Sequence, residues 1–318
     1  MIMAEAEPAI PARRPAPAPV HGWLVIDKPT GVTSTKVVTR VRRLTGAAKA
    51  GHAGTLDPLA TGVLPIALGE ATKTVPFVVD GSKSYRFTIR WGEQRDTDDA
   101  EGRVIATSAH RPDPAEITAA LAQFTGEIMQ VPPTYSAIKI AGRRAYELAR
   151  NEQDVTLAAR PVRIDRMALI EATDADHALL ELDCGKGSYV RALARDLARA
   201  LGTVGHLAAL CRTRVGPFTL ADSISLAQIE ALDDSAALAD RLLPVACGLS
   251  GIASLPVNAD QAARLKHGQM VPLVRAPVDE AGNRLVGTAV LCAVFAGRPA
   301  ALVRLEAGEI RPTRVFNL

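Results

Sequence analysis

Apolar and polar positions alternate in blocks that read as a series of short elements. Trp23-Leu24-Val25-Ile26 is a continuous apolar run that stops at Asp27-Lys28-Pro29. It predicts a short strand from Gly22, closed by a proline that neither ladder nor helix tolerates. Val37, Val38, Val41 and Leu44 share one face of a helix that Ser34 is placed to cap, with Lys36, Arg40 and Arg43 elsewhere on it. A glycine-rich loop, 46–62, leads into a strand over 63–68. Further strands are expected at 85–91, 162–170 and 178–184, and a helix at 114–124. Residues 188–201 predict a helix with Val190, Leu193, Ala194, Leu197 and Leu201 on its core side. Arg191, Arg195 and Arg199 recur every four residues beside that stripe.

Strands and helices mix without strict βαβ alternation, which argues for an α+β fold built on a mixed sheet. There is no internal repeat. A boundary is expected near residue 250, around Cys247-Gly248-Leu249-Ser250-Gly251. Beyond it, a helix at 259–266 and several β-rich segments suit a small β-barrel over 250–318. Residues 1–21 carry Pro8, Pro11, Pro15, Pro17 and Pro19 among alanines and read as a disordered arm, leaving 22–249 as the main domain.

Composition changes this picture little. A hydrophobic content of 48% supports a sizeable core, and 37 basic against 34 acidic residues give a net charge of +3. That balance neither demands nor excludes a nucleic-acid partner, since a basic groove can sit on a near-neutral protein. Cys184, Cys211, Cys247 and Cys292 form no C-x-x-C pair, and the six histidines are scattered, so no metal site is expected. Scattered thiols, no signal-peptide core in the arm and no apolar run near the roughly 20 residues of a membrane span point to a reduced, cytoplasmic protein.

The chemistry concentrates in Gly51-His52-Ala53-Gly54-Thr55-Leu56-Asp57-Pro58-Leu59-Ala60-Thr61-Gly62-Val63-Leu64-Pro65. Glycines and prolines fix a tight loop, and Leu56 and Leu59 are placed to anchor it on either side of one carboxylate. A carboxylate held beside apolar residues costs free energy, which suggests a functional demand on Asp57. An aspartate that merely caps a turn, as Asp-Pro often does, fits the residues equally well.

The whole run resembles the catalytic motif of the TruB family of pseudouridine synthases, G-H-x-G-[TA]-L-D-P-x-A-x-G-x-L, matched without a break. The similarity extends through most of the chain. Asp27-Lys28-Pro29-x-Gly31 resembles the family's first motif, which implies that Lys28 and Pro29 support the catalytic loop. Lys83-Ser84-Tyr85, Lys186-Gly187-Ser188-Tyr189-Val190-Arg191 and the stretch 206–213 with Leu210 match further segments. Pro133 to Lys139 with Gly142-Arg143-Arg144-Ala145-Tyr146 is similar to the family's RNA-gripping insertion, placed near 130–155. The carboxy-terminal unit is similar to PUA-type RNA-binding domains. Cys211 departs from the family pattern, where many relatives carry a longer or polar residue.

The resemblance implies an isomerase that converts uridine to pseudouridine at position 55 in the T-arm of tRNA, without cofactor, membrane or obligatory protein partner, as a monomer. Asp57 would be the nucleophile, attacking base or sugar. Arg191 would pair with it through a guanidinium fork, with Tyr189 packed beside. Tyr85 would stack on the uracil and Leu210 wall it. A target uridine must be flipped out, and His52 would fill its place in the stack. Lys139, Arg143 and Arg144 would meet phosphates and unstacked bases. Arg195 and Arg199 read as solvated helix charges. Two rivals stand beside this reading: a guide-RNA-dependent, dyskerin-like synthase, and an RNA-folding module without chemistry. A glycosidase would want two opposed carboxylates, and only Glu70, thirteen residues on, offers itself.

Overall fold

A computed structural model describes residues 20–136, 139–140, 143–144, 157–231, 238–273 and 290–318. Nearly all of the proline-rich arm, and residues 137–138, 141–142 and 145–156 of the expected insertion, lie outside the described residues. The main element is a ten-stranded mixed sheet. Its central path runs Ile224–Ser225, Gly22–Lys28, Thr61–Leu68, Gly205–Val215, Lys83–Trp91, His177–Cys184, Arg160–Ala172, Gly126–Gln130. Two contacts along this path are parallel, Gly22–Lys28 with Ile224–Ser225 and Thr61–Leu68 with Gly205–Val215; the others are antiparallel.

The first apolar run is continuous because the strand is buried on both faces. Trp23, Leu24, Val25 and Ile26 are each at most 1% exposed. Leu24 and Ile26 join Val37, Val41, Leu64, Ile66 and Phe87 in one core. Trp23 and Val25 join Val63, Ala67, Phe218, Cys292, Leu302 and Phe316 in a second. The last three belong to the carboxy-terminal region, where Ser254–Pro256, Val290–Phe295, Arg298–Glu306, Glu309–Val315 and Val271–Pro272 form a curled five-stranded half-barrel. That unit therefore covers one face of the main sheet. Lys73 Nζ donates to the Val315 carbonyl at 2.7 Å, and Asn317 N–H to Glu70 Oε2 at 2.7 Å, holding the chain end in place.

The first helix, Ser34–Thr45, corrects two sequence expectations. Its N-cap is Thr33, whose hydroxyl accepts from Lys36 N–H. Ser34 is drawn inward instead, because its hydroxyl both accepts from Leu56 N–H at 2.8 Å and donates to Leu56 O at 3.0 Å. The buried stripe consequently runs Ser34, Val37, Val41, Thr45, leaving Leu44 38% exposed. The expected helix over 114–124 is α-helical over Pro114–Ala120, behind an Asp113 capping box, and closes as a 3-10 turn, Leu121–Phe124. No helix among the described residues is long and apolar enough to cross a membrane.

Lys28 joins the end of the first strand to two loops. It is fully buried, and its ammonium donates to Pro29 O at 2.9 Å, Val32 O at 2.7 Å and Pro58 O at 3.1 Å. Replacing Lys28 with Met removes one donor from each of three carbonyls, of which Pro58 O keeps Gly31 N–H. The expected loss is about 1–3 kcal/mol after relief of the buried charge. Urea unfolding measures it; an unchanged midpoint would contradict the ammonium's role as a tie.

Candidate active site

The loop between the strands Ala50–His52 and Thr61–Leu68 is fastened along its length. Pro58 O accepts from Lys28 and from Gly31 N–H at 2.8 Å, and Leu59 O from the Thr30 hydroxyl at 3.2 Å. Leu56 is 4% exposed and held by Ser34, whereas Leu59 is only half-buried and faces a cleft. Every neighbour of Asp57 is thus fixed by backbone bonds, while the Asp57 side chain itself keeps 38% exposure. Burial draws the Lys28 pKa down to about 8, with the Asp57 charge the first influence opposing it.

Arg191 lies at the start of the helix Val190–Ala200 with its side chain 7% exposed. Its Nε sits 3.0 Å from Asp57 Oδ2. The fork expected between them is not formed, because the other guanidinium nitrogens are used elsewhere. Nη1 donates to Thr97 O at 3.0 Å and lies 3.4 Å from Asp99 Oδ2, while Nη2 donates to Tyr135 O at 3.0 Å. One cation therefore joins the nucleophile candidate to an acidic turn and to the root of the insertion.

Arg195 is not a solvated charge. It is buried, with Nη1 2.8 Å from Asp98 Oδ2, Nη2 donating to Val131 O at 2.7 Å and Nε 2.9 Å from Asp196 Oδ1. Arg199 is exposed, as expected. Asp98 takes a left-handed backbone, φ 61°, which lets adjacent aspartates face Arg195 and Arg191 in turn. Burial pushes its carboxyl pKa up and Arg195 opposes that. Neither Asp98 nor Asp99 was singled out from the sequence; the acidic run Asp96-Thr97-Asp98-Asp99 was the available signal. Gln130 was missed too. Its amide is 1% exposed, accepts from Tyr189 N–H at 2.9 Å and donates to Tyr189 O at 3.2 Å. It thereby pins the residue that starts the arginine helix, which has no side-chain cap of its own.

Tyr85 lies directly across from Arg212, and Phe87 across from Leu210, on neighbouring antiparallel strands. Tyr85 is half-buried, and burial pushes its hydroxyl pKa up. Leu210, 8% exposed, lines an open cleft of about 590 Å³ together with Leu59, Thr61, Arg86 and Glu101. His52 ends a short strand opposite Ile66, and its buried Nδ1 has no partner among the described residues. Burial, then the Arg212 charge, lowers its pKa, which disfavours the charged imidazolium. Lys139–Ile140 pairs with Arg143–Arg144 as a two-residue ladder. Pro29 contributes its carbonyl to Lys28. Glu70 is bound to Lys73 at 2.6 Å and to the chain end, so it does not oppose Asp57. Among the described residues no three His, Cys, Asp or Glu side chains group as metal ligands.

Removing Arg195 leaves Asp98 buried without its cation, so Arg195→Met is expected to cost about 3–5 kcal/mol in urea unfolding. Adding Asp98→Asn should recover part of that loss. Equal midpoints for wild type and Arg195→Met would return Arg195 to the class of solvated charges.

The chain is similar to known proteins over most of its length. The model of the TruB family pseudouridylate synthase N-terminal domain matches residues 42–190, and that of the tRNA pseudouridylate synthase B C-terminal domain matches 191–250. A "tRNA pseudouridine synthase B" of Bradyrhizobium diazoefficiens is 57% identical, over 94% of this chain and 86% of that one. One of Rhodospirillum rubrum is 52% identical, over 96% of this chain and 100% of that one. Among solved structures, the crystal structure of a Cbf5-Nop10-Gar1 complex aligns with a TM-score of 0.69 at 22% identity, over 93% of this chain and 84% of that one, a likeness of fold. The mixed sheet, the unbroken motif around Asp57 and these matches place the chain in the TruB family of pseudouridylate synthases.

Proposed function

We propose that this protein converts one uridine in the T-arm of tRNA to pseudouridine, using Asp57 as nucleophile and no protein partner. The observation that carries the reading is Asp57, half-exposed on a fully fastened loop, with a buried guanidinium 3.0 Å from its carboxylate. Relatives that are 52–57% identical carry the name tRNA pseudouridine synthase B, which supports tRNA as the substrate.

The reaction breaks the bond from C1′ to N1, turns the uracil and joins C1′ to C5. The C5 proton is lost and N1 gains one, so the net change is an isomerisation. Asp57 supplies the electron pair that opens this sequence. Arg191 holds it aimed, because its other nitrogens are fixed to Thr97, Asp99 and Tyr135. Tyr85 stacks on the flipped base and Leu210 forms an apolar wall. His52, half-buried and with its charged form disfavoured by burial, fills the vacated stack. Lys28 and Pro29 hold the loop through Pro58. Tyr189 sets the start of the arginine helix, and Lys139, Arg143 and Arg144 meet the RNA backbone.

The test maps pseudouridine after incubation of purified protein with full tRNA, an isolated T-arm hairpin, and a hairpin with the target uridine moved by one position. The first two should react and the third should not. Binding should weaken with added salt, since basic contacts to phosphates supply much of the affinity. An inert hairpin beside reactive tRNA would sink the T-arm account, and inert tRNA the whole reading. Arg191→Lys is expected to slow the bound-state step by about 100-fold, because an ammonium cannot reach four acceptors at once. A near-normal single-turnover rate would remove Arg191 from the chemistry.

A further inference from the structure

Arg212 is 2% exposed and takes no part in the roles assigned above. Among the described residues its hydrogen bonds go to carbonyls and not to carboxylates. Nε donates to Val63 O at 2.9 Å, Nη1 to Thr55 O at 3.3 Å and Nη2 to Gly54 O at 3.0 Å. All three acceptors belong to the Asp57 loop or to the strand that leaves it. A buried guanidinium without a neighbouring anion is costly, which argues that its place is set by something other than stability.

Two motif glycines make room for it. A Cβ at Gly62 would sit 2.2 Å from the Arg212 carbonyl oxygen, and one at Gly54 would sit 3.3 Å from Nη1. Both glycines also have left-handed backbones, φ +95° and +104°. The loop is therefore shaped around Arg212 as much as around Asp57.

On its other side Arg212 meets Tyr85. The two are directly opposed across antiparallel strands, and opposed residues project to the same face. Phe87 and Leu210, the next opposed pair on that face, continue the surface toward the cleft. The Arg212 charge is the first influence that counters burial at the Tyr85 hydroxyl.

We propose that Arg212 is a positioning residue of the isomerisation: its one guanidinium joins the Tyr85 hydroxyl to the loop bearing Asp57, fixing ring and carboxylate at one spacing about a single uracil. The proposal rests on the assignment of Asp57 and Tyr85 to the reaction. A planar fork reaches three carbonyls and a hydroxyl together; an ammonium at the same place does not.

Two measurements test it. Arg212→Lys, checked for folding by circular dichroism, is compared with wild type on the T-arm hairpin. The expected result is a fall of about 10- to 100-fold in the saturated single-turnover rate, with hairpin affinity within about twofold. An unchanged rate, or a loss confined to affinity, overturns the proposal. The second measurement needs no change at Arg212. Tyr85→Phe deletes only the hydroxyl, and arginine side-chain ¹⁵N NMR then reads the guanidinium, assigned through its contact with Val63. A shift of the Arg212 signals is expected. Unmoved signals overturn the proposal, and this readout decides alone if Arg212→Lys does not fold. Failure of wild type to make pseudouridine would strike the underlying assignment of function, while the NMR comparison would still judge the Arg212–Tyr85 link.

Discussion

The structure turns on one buried cation, Arg191, shared between Asp57, Asp99 and the carbonyls of Thr97 and Tyr135. A guanidinium taken out of water costs several kcal/mol unless its donors find partners. Here the partners come from separate segments, so satisfying one charge brings distant parts of the chain together. Lys28 and Arg212 repeat the device from other sides. Lys28 ties the first strand to Pro58, and Arg212 ties the strand Gly205–Val215 to Gly54, Thr55 and Val63. Three buried cations thus surround a loop whose only carboxylate remains partly open. Little is left to reorganise when a substrate arrives, which is what preorganised electrostatics requires.

The scaffold beneath that loop depends on the chain's far end. Trp23 and Val25 need cover on the face opposite Leu24 and Ile26, and Cys292, Leu302 and Phe316 supply it. The carboxy-terminal half-barrel is accordingly a structural neighbour of the main sheet. Chain order and spatial order differ for a physical reason: a strand buried on both faces has to be closed by something from elsewhere in the sequence.

Much of this was legible in the residues. Continuous apolar runs marked the strands buried on both faces, and the unbroken motif around Asp57 marked the family. Spacing failed where a local competitor intervened: Thr33 took the cap because Ser34 had a partner in Leu56, which also turned Leu44 outward. Periodicity alone also misread Arg195, since a four-residue repeat beside an apolar stripe looks solvated until Asp98 is folded onto it. The partners of Arg212, Gln130 and the Asp98-Asp99 turn were hidden for the same reason. Their importance lies in what they touch, and the sequence separations are 158 residues for Arg212 to Gly54, 59 for Gln130 to Tyr189 and 97 for Asp98 to Arg195. The guanidinium fork on Asp57 failed differently: the pair was right, and the other nitrogens had competing acceptors.

Single-turnover pseudouridine formation by Asp57→Asn, measured at RNA concentrations that saturate it, tests the central claim most directly. The amide keeps the shape of the side chain and the fastened loop but offers no carboxylate electron pair. The account requires RNA affinity close to wild type and no detectable isomerisation in this variant. Substantial turnover by the bound Asp57→Asn protein would contradict it, because the buried cations would then be holding a residue that the chemistry does not use.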